Sequence, residues 1–456
     1  MAAGLRDASS LRGRGGQRTV RDLALYGAVM AATAALCREI EQALPERPFT
    51  LEFWDGGRVP ATSDGGPALH FRSPRAIAQV LRSPGQLGLG RAYVLGDIDA
   101  DDIDGVVALM GRWEAPEIGS VQKARLAAAA LRAVGLTRPP GRPAAELRPR
   151  GRLHTKARDA RAVRHHYDVS NEFLALFLDE SMTYSCALWD EGVETLEDAQ
   201  RAKLELICGK LELEPGERML DVGCGWGSLA IHAAREHGVE VLGITLSPPQ
   251  AEFAARRAEE AGVADRVEIR VMDYRDLAGQ RFDAIASIGM VEHVGESQID
   301  EYARVLTSAL GPGGRILNHG IVYVSPTKGS HEGGEFSRRY VFPDGELLNL
   351  SRMLAAFERA GLEALHVEDL HPDYSETLRH WTARFEERLD EAERLAGSER
   401  VRVWRLYLRA ARNAFETGQN AVYQVLCARP ITEPARSMPS GRTHEPARRR
   451  VPEPVA

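Results

Sequence analysis

The residues most able to do chemistry surround a glycine-rich turn within Met219–Ser228. The apolar start of this segment predicts a buried strand, and Leu229–Arg235 opens a predicted helix. Gly223, Gly225 and Gly227 lie between the two elements. Glycines at alternate positions let the backbone approach a ligand that any Cβ would strike, and the helix start offers unpaired N–H groups to that ligand. The pattern predicts a nucleotide site, although glycines at this spacing also occur in ordinary tight turns.

The residues after the next predicted strand argue against a nicotinamide cofactor. A dinucleotide site of the Rossmann type places an acid at the end of the second strand, about 20 residues after the glycines, to bind the ribose hydroxyls. This chain has Thr245, Leu246 and Ser247 there, with Gln250 close behind. The third glycine spacing of that fingerprint is also missing.

Asp221–Gly227 resembles the first motif of S-adenosylmethionine-dependent methyltransferases, and Asp273–Asp276 follows the third predicted strand, where that fold contacts adenine. Five further motifs narrow the resemblance to the cyclopropane-fatty-acyl-phospholipid synthase family, over roughly residues 160–428. These motifs are His166–Ser170, Met182–Ala187, Gly243–Gln250, Gly289–Val294 and Tyr374–Trp381. Leu87–Asp97 is similar to the N-terminal domain of that family. The resemblance implies methyl transfer from S-adenosylmethionine to the double bond of an acyl chain.

Methylation of an isolated alkene sets strict demands on a site. The alkene is a weak nucleophile, so it must be held in line with the sulfonium methyl group while water is excluded. Attack leaves a carbocation on the chain, which water would trap unless a base removes a proton first. We therefore expect apolar and aromatic walls around one well-placed base, with the face of Tyr184 as a group that stabilises the cation.

The resemblance implies that the base is a bound bicarbonate. It assigns this anion to residues Cys186, Glu292, His319, Ile321 and Tyr374. A carboxylate can accept a hydrogen bond from the bicarbonate O–H, while a histidine and a tyrosine can donate to its oxygens. Ile321 offers only backbone groups or an apolar wall. Glu292 and His319 follow predicted strands, at the edge where open α/β sheets bind ligands.

Each of these residues has a simpler interpretation when it is taken alone. Glu292 could cap the following helix, His319 could be a satisfied interior histidine, and Cys186 could be a small buried apolar residue. Tyr374 would by default lie in the core or in an interface. A metal site built from Glu292, His293 and His319 is not expected, because no ligand spacing supports one.

The resemblance also assigns a set of residues to the cofactor. They are Tyr184, Ser185, Gly223, Gly225, Thr245, Leu246, Gln250, Tyr274, Arg275 and Ile288. Gln250 can bond the ribose hydroxyls, which would compensate for the missing acid.

One departure from the family bears on the product. Cyclopropane synthases usually carry a cysteine on the C-terminal helix within a Cys-Ala-x-x-Phe pattern, whereas this chain has Ala411 within Leu406–Phe415. That helix and Tyr340–Glu346 are more similar to the branch that makes methylene-branched chains, the precursors of 10-methyl fatty acids such as tuberculostearic acid. There a hydride shift moves the cation to the neighbouring carbon before a proton is lost, which gives an exocyclic methylene. A cyclopropane ring stays the alternative product.

The predicted elements would bring these residues to one edge of a sheet. Strands and helices alternate along the main domain, which predicts a parallel sheet covered on both faces. After the first strand, strands are predicted at Glu240–Thr245, Val267–Met272, Phe282–Ile288 and Arg315–His319, the last after a helix that ends at Gly311–Gly314. The expected fold class is α/β, a class I (Rossmann-like) S-adenosylmethionine-dependent methyltransferase domain with a smaller α+β N-terminal domain.

The smaller domain, of the family's lipid-binding type, is predicted over residues 21–115. Phe49–Trp54 alternates and stops at Asp55–Gly57, which predicts a hairpin. Pro67–Phe71 predicts another strand. Ser73–Pro74 is typical of a helix start, with serine at the cap and proline in the first turn.

The remaining segments are predicted from composition. Residues 116–159 predict a basic linker before the methyltransferase domain over residues 160–430. Within this linker, residues 135–152 hold prolines among arginines, a composition that is not expected to bury a core. Residues 1–20 and 431–456 predict a flexible N-terminus and a disordered tail. The longest uncharged apolar run, Leu23–Cys37, is too short for a membrane span and predicts a core helix, with a signal peptide as the alternative.

The charge and the cysteine content limit which binding partners and which cellular compartment are expected. The net charge is −7 over 456 residues, so no general cationic field for nucleic acid is expected. Residues 121–166 carry twelve Lys or Arg against two acids, and this stripe could attract anionic headgroups or be a solvated linker. Five widely spaced cysteines predict a reducing cytoplasm without a disulfide framework. We expect a cytoplasmic enzyme, peripheral to the inner face of the membrane, that acts on unsaturated phospholipid.

Two alternatives to a lipid methyltransferase are kept open. A methyltransferase for a small polar substrate would need a tight polar acceptor pocket, and a non-catalytic lipid-binding protein would lack cofactor binding. The set of Glu292, His319 and Tyr374 argues against the second alternative. The sequence leaves open the headgroup, the double-bond position, a separate reductase that would complete a methyl branch, and homo-oligomer formation.

Overall fold

The computed structural model describes residues 32–138, 141–147, 153–159, 161, 170–325, 330–331 and 334–431. Several predictions fall outside these ranges: the flexible N-terminus, the tail beyond residue 431, most of the His166–Ser170 motif and the first part of the Leu23–Cys37 run. Among the described helices, none is both long enough and apolar enough to cross a membrane.

The N-terminal part is built on a small mixed sheet. Its strands are β1 (Thr50–Phe53), β2 (Arg58–Val59), β3 (Ala68–Phe71) and β4 (Ile98–Ala100), in the order β2-β1-β3-β4. The predicted hairpin and the predicted strand after it are both confirmed. β1 pairs antiparallel with β2 across a turn in which Gly57 N donates to Asp55 Oδ1 at 3.1 Å, and β3 pairs parallel with β1.

Helices α1 to α4 accompany this sheet. They are α1 (32–43), α2 (Pro74–Arg82), α3 (Gln86–Val94) and α4 (Ile103–Arg112). α2 begins as predicted, because the Ser73 hydroxyl accepts from Arg75 N and Pro74 occupies the first turn. Leu36 and Cys37 are buried in the core of the sheet, so the described part of the apolar run is a core helix.

The predicted linker contains structure that its composition did not indicate. Helix α5 (Ser120–Val134) buries its alanine-rich face in the core of the N-terminal sheet. Further on, Ala145 and Glu146 are buried where the N-terminal part meets the main domain. The expectation that residues 135–152 bury no core was therefore wrong at Ala145 and Glu146. An alanine-rich helix can bury one face even when the opposite face is basic.

The main domain is organised around a seven-stranded sheet. Its strands are β5 (Arg218–Val222), β6 (Glu240–Thr245), β7 (Val267–Val271), β8 (Phe282–Ile288), β9 (Leu310–Tyr323), β12 (Glu363–Asp369) and β13 (Asn420–Ala428). They lie in the order β12-β13-β9-β8-β5-β6-β7, and β10 (Ser330–His331) pairs separately with β11 (Leu347–Leu348). The five neighbouring strands β9, β8, β5, β6 and β7 run parallel to one another. This architecture confirms the expected class I methyltransferase fold.

The sheet departs from the sequence prediction at one side. β13 runs antiparallel to both of its neighbours, so the sheet is mixed and not wholly parallel as predicted. Two helices, not one, separate β12 from β13. A single helix would bring the chain back for a parallel strand, whereas a pair of helices returns it to the edge of the sheet where β12 ends, so that β13 runs antiparallel to β12. β9 is also longer than predicted, because it pairs with β8 on one side and with β13 on the other.

The main domain also contains helices, several of which cover the two faces of its sheet. They are α6 (156–159), α7 (Asn171–Leu174), α8 (Leu196–Lys210), α9 (Ser228–His237), α10 (Pro248–Glu260), α11 (Ile299–Ala309), α12 (Glu335–Tyr340), α13 (Leu350–Arg359), α14 (His371–Glu387) and α15 (Leu389–Glu416). Successive residues of β5 point to opposite faces, with Met219 in the core under α8 and α9 and Leu220 in the core under α11 and α13. A third core forms between α7, α14 and α15 and is rich in aromatic side chains.

A buried ion pair joins the N-terminal part to the main domain. Arg91 of α3 donates from Nε and Nη2 to Glu146 Oε2 and Oε1, at 2.7 and 2.6 Å. Tyr340 OH donates to the same carboxylate at 3.4 Å. Burial alone would raise the pKa of Glu146, but the hydrogen bonds and the charge of Arg91, together with the charges of Arg142 and Arg339, outweigh burial and lower the pKa. The Leu87–Asp97 motif thus supplies the arginine that fixes this junction.

Glu146→Gln should destabilise the protein by about 3–5 kcal/mol, because it leaves the buried Arg91 charge without its partner. The free energy of unfolding from a urea titration measures this loss. Glu301→Gln is the matched control: Glu301 pairs with Arg304 on the exposed side of α11, where losing the pair should cost at most about 1 kcal/mol. Equal losses in the two variants would show that the buried pair does not hold the junction.

Candidate active site

The glycine-rich turn lies between β5 and α9 at the carboxyl edge of the parallel strands. Gly223, Gly225 and Gly227 all adopt positive φ, at 77°, 54° and 82°. The left-handed region disfavours side chains, so the turn requires glycine at these positions. Gly223 N and Cys224 N both donate to Ile244 O, at 2.9 and 3.0 Å, which ties the turn to the end of β6.

A cavity opens above this turn, over the ends of β5, β6 and β8 and beside the residues that follow β7. Every residue that the sequence assigned to the cofactor lines it: Tyr184, Ser185, Gly223, Gly225, Thr245, Leu246, Gln250, Tyr274, Arg275 and Ile288. The structure therefore brings the whole predicted set together. Their individual contacts with a cofactor stay predictions.

Thr245 and Gln250 are arranged by the start of α10. Ser247 caps this helix by accepting from Gln250 N, with Pro248 in the first turn. Thr245 Oγ1 donates to Gln250 Oε1 at 2.8 Å. This bond occupies the carbonyl oxygen of Gln250 and leaves its amide N–H groups as donors, which a ribose hydroxyl oxygen could accept.

The side chain of Arg275 is occupied by neighbouring acids. It donates to Asp273 from Nε and Nη2, at 2.7 and 2.6 Å, and to Asp159 Oδ2 at 2.8 Å. Its Nη1 donates to His154 O at 3.2 Å. The hydrogen bond to Asp273 is the main cause that raises the pKa of Arg275. Arg275 therefore holds the segment around α6 against the 3₁₀ turn that contains Tyr274, and so shapes one wall of the cavity.

The segment that carries Tyr184 and Ser185 is held in a constrained turn. Asp179 accepts hydrogen bonds from Ser181 N and Thr183 N, both at 2.9 Å. Between them Met182 is forced to a φ of 57°, which is rare for a bulky residue and is typical of functional sites.

Helix α8 fixes the same segment from the other side. Gln200 Nε2 donates to Ser185 O at 2.9 Å and to Thr183 O at 3.3 Å. Lys203 Nζ donates to Ser185 Oγ at 3.0 Å. Gln200 and Lys203 are three residues apart and so share one face of the helix. Lys203 also lines the cavity, a placement that the sequence analysis missed.

An aromatic wall begins at Tyr184. Its ring stacks on Trp381 with centroids 5.2 Å apart and an interplanar angle of 25°. Tyr184 OH donates to Tyr407 OH at 3.5 Å. Further rings of the same core continue the wall: Phe173, Phe177, Tyr374, Phe385, Trp404 and Phe415. The cofactor cavity is thus bordered by a buried, aromatic region, which is what a cationic hydrocarbon would need.

Glu292 lies on the 3₁₀ turn after β8 and is buried. Its Oε1 accepts from Ile321 N of β9 at 2.6 Å, while no described residue bonds to its buried Oε2. Glu292 therefore does not use its carboxylate to cap the next helix. Burial raises its pKa to about 7, against the lowering effect of the bond from Ile321.

His319 also keeps one buried atom that bonds to no described residue, its Nε2. Lys210 Nζ donates to Gln424 Oε1 at 2.6 Å, so the amide nitrogen of Gln424 is the group that meets His319 Nδ1, at 3.3 Å. Because that amide donates, Nδ1 is the bare nitrogen and Nε2 carries the hydrogen. Burial, with smaller contributions from Lys203 and Lys210, lowers the pKa of His319 well below its usual value and keeps the ring neutral.

Cys186 and Tyr374 lie beside this pair. Val422 of β13 faces Ile321 in the sheet, and Val422 O accepts from Leu370 N at 2.8 Å. Leu370 O in turn accepts from Tyr374 N at 3.2 Å and from Cys186 Sγ at 3.6 Å. The residues assigned to bicarbonate thus form one neighbourhood, which adjoins the cofactor cavity because Ser185 precedes Cys186 in the chain.

The sequence analysis missed the residues that orient this neighbourhood. Lys210 and Gln424 belong to no motif, and they reach His319 only because α8 packs beside β13. The sequence did contain a signal for Lys203, because Gln200 and Lys203 lie three residues apart on a helix face that is largely apolar. A lysine at such a position is rarely fully buried without a function or a charged partner.

One cluster of metal-binding residue types lies apart from the site. Cys208, His232 and His237 bring possible ligand atoms within 4.8 Å of one another. Glu205 Oε2 bonds to both imidazoles, at 3.1 and 3.2 Å, so the histidines already share a partner. The absence of a metal cofactor stays a prediction.

Comparison with known proteins agrees with this geometry. The family model described as mycolic acid cyclopropane synthetase matches residues 154–425. A probable fatty acid methyltransferase of Mycobacterium tuberculosis is 40% identical over 402 residues, which cover 86% of this chain and 93% of that protein. A tuberculostearic acid methyltransferase of the same organism is 31% identical over 409 residues, which cover 87% of this chain and 92% of that protein.

The structural comparison points to the same family. A crystal structure of a mycolic acid cyclopropane synthase complexed with SAH and CTAB matches with a TM-score of 0.56 and 31% identity. The match covers 59% of this chain and 98% of that one. The chain therefore belongs to the mycolic acid cyclopropane synthetase family of S-adenosylmethionine-dependent methyltransferases.

Proposed function

We propose that the protein transfers a methyl group from S-adenosylmethionine to the double bond of an unsaturated phospholipid acyl chain, with bound bicarbonate as the base. One observation carries the proposal: Glu292 Oε2 and His319 Nε2 are buried, and no described residue bonds to either. One is an acceptor and the other a donor. Bicarbonate offers an O–H donor and acceptor oxygens, so its chemistry fits both groups.

The residues of the chain would perform three tasks. Tyr184 and its neighbouring rings would exclude water and stabilise a cation on the acyl chain. The ionised Glu292 would accept from the O–H of the anion, and His319 Nε2 would donate to one of its oxygens. Ile321 N holds Glu292 Oε1 in place, which leaves Oε2 for this bond.

The proposed reaction balances without an oxidant or reductant. The two π electrons of the alkene form the new C–C bond to the methyl group, and the S–C bond electrons remain on sulfur. A hydride shift would move the resulting cation to the methylated carbon. Loss of a methyl proton then leaves its electron pair as an exocyclic C=C bond. S-adenosylmethionine supplies the electrophilic methyl group, and bicarbonate supplies the base that takes the proton.

We infer a 10-methylene-branched product in preference to a cyclopropane ring. Ala411, where cyclopropane synthases usually carry cysteine, packs against the aromatic core beside the site. The similarity to a tuberculostearic acid methyltransferase over 92% of its length supports the same branch. A ring-forming relative shares the fold, so cyclopropane formation is the competing outcome for the assay below.

Incubation with S-adenosylmethionine and a dioleoyl phospholipid should add one CH₂ unit to the acyl chain. Mass analysis of the released chains measures the gain, and ozonolysis with fragmentation separates an exocyclic methylene from a ring, because both have the same mass. Heat-denatured protein is the negative control. A ring would contradict the proposed branch, and chains without added carbon would contradict lipid methylation altogether.

Glu292→Gln should lower turnover by about 100-fold or more while preserving the fold, because a neutral amide oxygen accepts a hydrogen bond from the bicarbonate O–H more weakly than a carboxylate oxygen does. In the wild type, turnover at fixed bicarbonate concentration should fall as the pH drops below 7, because burial raises the pKa of Glu292 to about 7 and only the ionised form serves. A pH profile of kcat measures both effects. If kcat of the Gln variant falls below pH 7 in the same way, the fall is caused by the titration of another group. Unchanged turnover in the variant would refute the role of Glu292.

We further propose that α5 contributes to contact with the membrane surface. Val121 and Leu131 are 67% and 61% exposed on this helix. Lys123, Arg125 and Arg132 are exposed on it as well. Apolar side chains among bases suit a surface of anionic headgroups, to which each base contributes roughly 1 kcal/mol.

Replacing Lys123 and Arg125 together by Glu should weaken binding to vesicles of phosphatidylglycerol by at least about tenfold. Sedimentation with vesicles at low salt measures this. The matched control reverses Arg256 and Arg304, which are exposed on α10 and α11 of the main domain. Equal weakening in both pairs would mean that total charge, and not this helix, governs attachment.

A further inference from the structure

Lys203 is a buried cation inside the cofactor cavity. It is 1% exposed and lines the cavity together with Ser185 and Asp221. Its ammonium has three donor hydrogens, yet among the described residues only Ser185 Oγ accepts from it, at 3.0 Å. A buried charge without a bonded counter-ion is costly, so this ammonium has capacity for an anionic ligand.

No acid of the described chain forms an ion pair with Lys203. Asp221 is 2% exposed, lines the same cavity and keeps its Oδ2 without a hydrogen-bond partner among the described residues. Asp179 attracts the ammonium, but its oxygens accept from Ser181 and Thr183. The cavity therefore presents a buried ammonium and a buried carboxyl group that form no ion pair, and burial raises the pKa of the Asp221 carboxyl to about 7.

A zwitterionic ligand complements this arrangement. The methionine part of S-adenosylmethionine carries an α-carboxylate and an α-ammonium on one carbon. We propose that the Lys203 ammonium binds the α-carboxylate of S-adenosylmethionine, on the side of the cavity where Ser185 and Asp221 also lie. This inference rests on the assignment of the cavity to that cofactor, and it adds a residue that none of the sequence motifs contains.

A purely structural role accounts poorly for Lys203. Gln200, one turn earlier on α8, already holds the Thr183–Ser185 segment through two carbonyl oxygens. A neutral donor could bond to Ser185 Oγ without the cost of burying a charge. Burial lowers the pKa of Lys203 to about 8, so the side chain still carries its charge at neutral pH.

Calorimetric titration with two ligands tests the proposal without relying on turnover. S-adenosylmethionine and decarboxylated S-adenosylmethionine differ only in the carboxylate. The wild type should bind the intact ligand about tenfold to a hundredfold more tightly, the range expected for a charged hydrogen bond. In Lys203→Met the ratio of the two dissociation constants should approach one, because only the intact ligand loses a partner. Lys203→Arg should restore part of the ratio.

Lys210→Met is the matched control. Lys210 is another buried lysine of α8, but its Nζ bonds to Gln424 and Glu368, so the variant should keep the wild-type ratio. Equal weakening of both ligands in Lys203→Met would overturn the proposal in favour of a structural role. A wild type that does not discriminate between the ligands would overturn it even if no variant folds. Methylated lipid formed by a non-discriminating wild type would leave the proposed function intact while removing this role of Lys203.

Discussion

The central constraint on this site is that buried hydrogen-bonding atoms need partners. Glu292 Oε2 and His319 Nε2 are buried, and no described residue bonds to either atom. Each such atom costs about 1–3 kcal/mol when it is left unpaired. A small anion with both a donor and acceptors removes both costs at once. The same dry surroundings that make the unpaired atoms costly would protect a carbocation from water.

Helix α8 links this anion site to the cofactor cavity. Gln200, Lys203 and Lys210 lie along one stripe of the helix, since their spacings of three and seven residues bring them close to the same face. The first two hold the segment with Ser185, and Lys210 orients Gln424 and through it His319. The helix is thus a common support for both halves of the site. A shift of α8 would therefore displace the segment with Ser185 and His319 together.

The sequence was sufficient to locate features that depend on local chain geometry. The positive φ angles of Gly223 and Gly225, the Ser247 cap and the ends of the parallel strands all follow from short-range rules. The cofactor residues themselves were assigned by the family resemblance, and every one of them lines one cavity. The mixed sheet was missed, because a local pattern of strands and helices does not show that α14 and α15 form a pair between β12 and β13.

Features that depend on long-range packing could not be predicted. Gln424 meets His319 across 105 residues and Lys210 across 214. The occupation of Arg275 by Asp159, and the burial of Glu146 against Arg91, likewise join segments whose spacing carries no periodic signal. Composition was misleading for α5, because the alanines that form its buried face are interspersed with basic residues.

The dependence of methyl transfer on bicarbonate tests the central claim most directly. Turnover would be measured in carefully degassed, carbon dioxide-free buffer and then with increasing bicarbonate at constant pH and ionic strength. The account predicts a low rate without the anion and a saturable rise as it is added, with chloride unable to replace it. A rate that is the same with and without bicarbonate would contradict the account, because Glu292 and His319 would then have no small anion to hold.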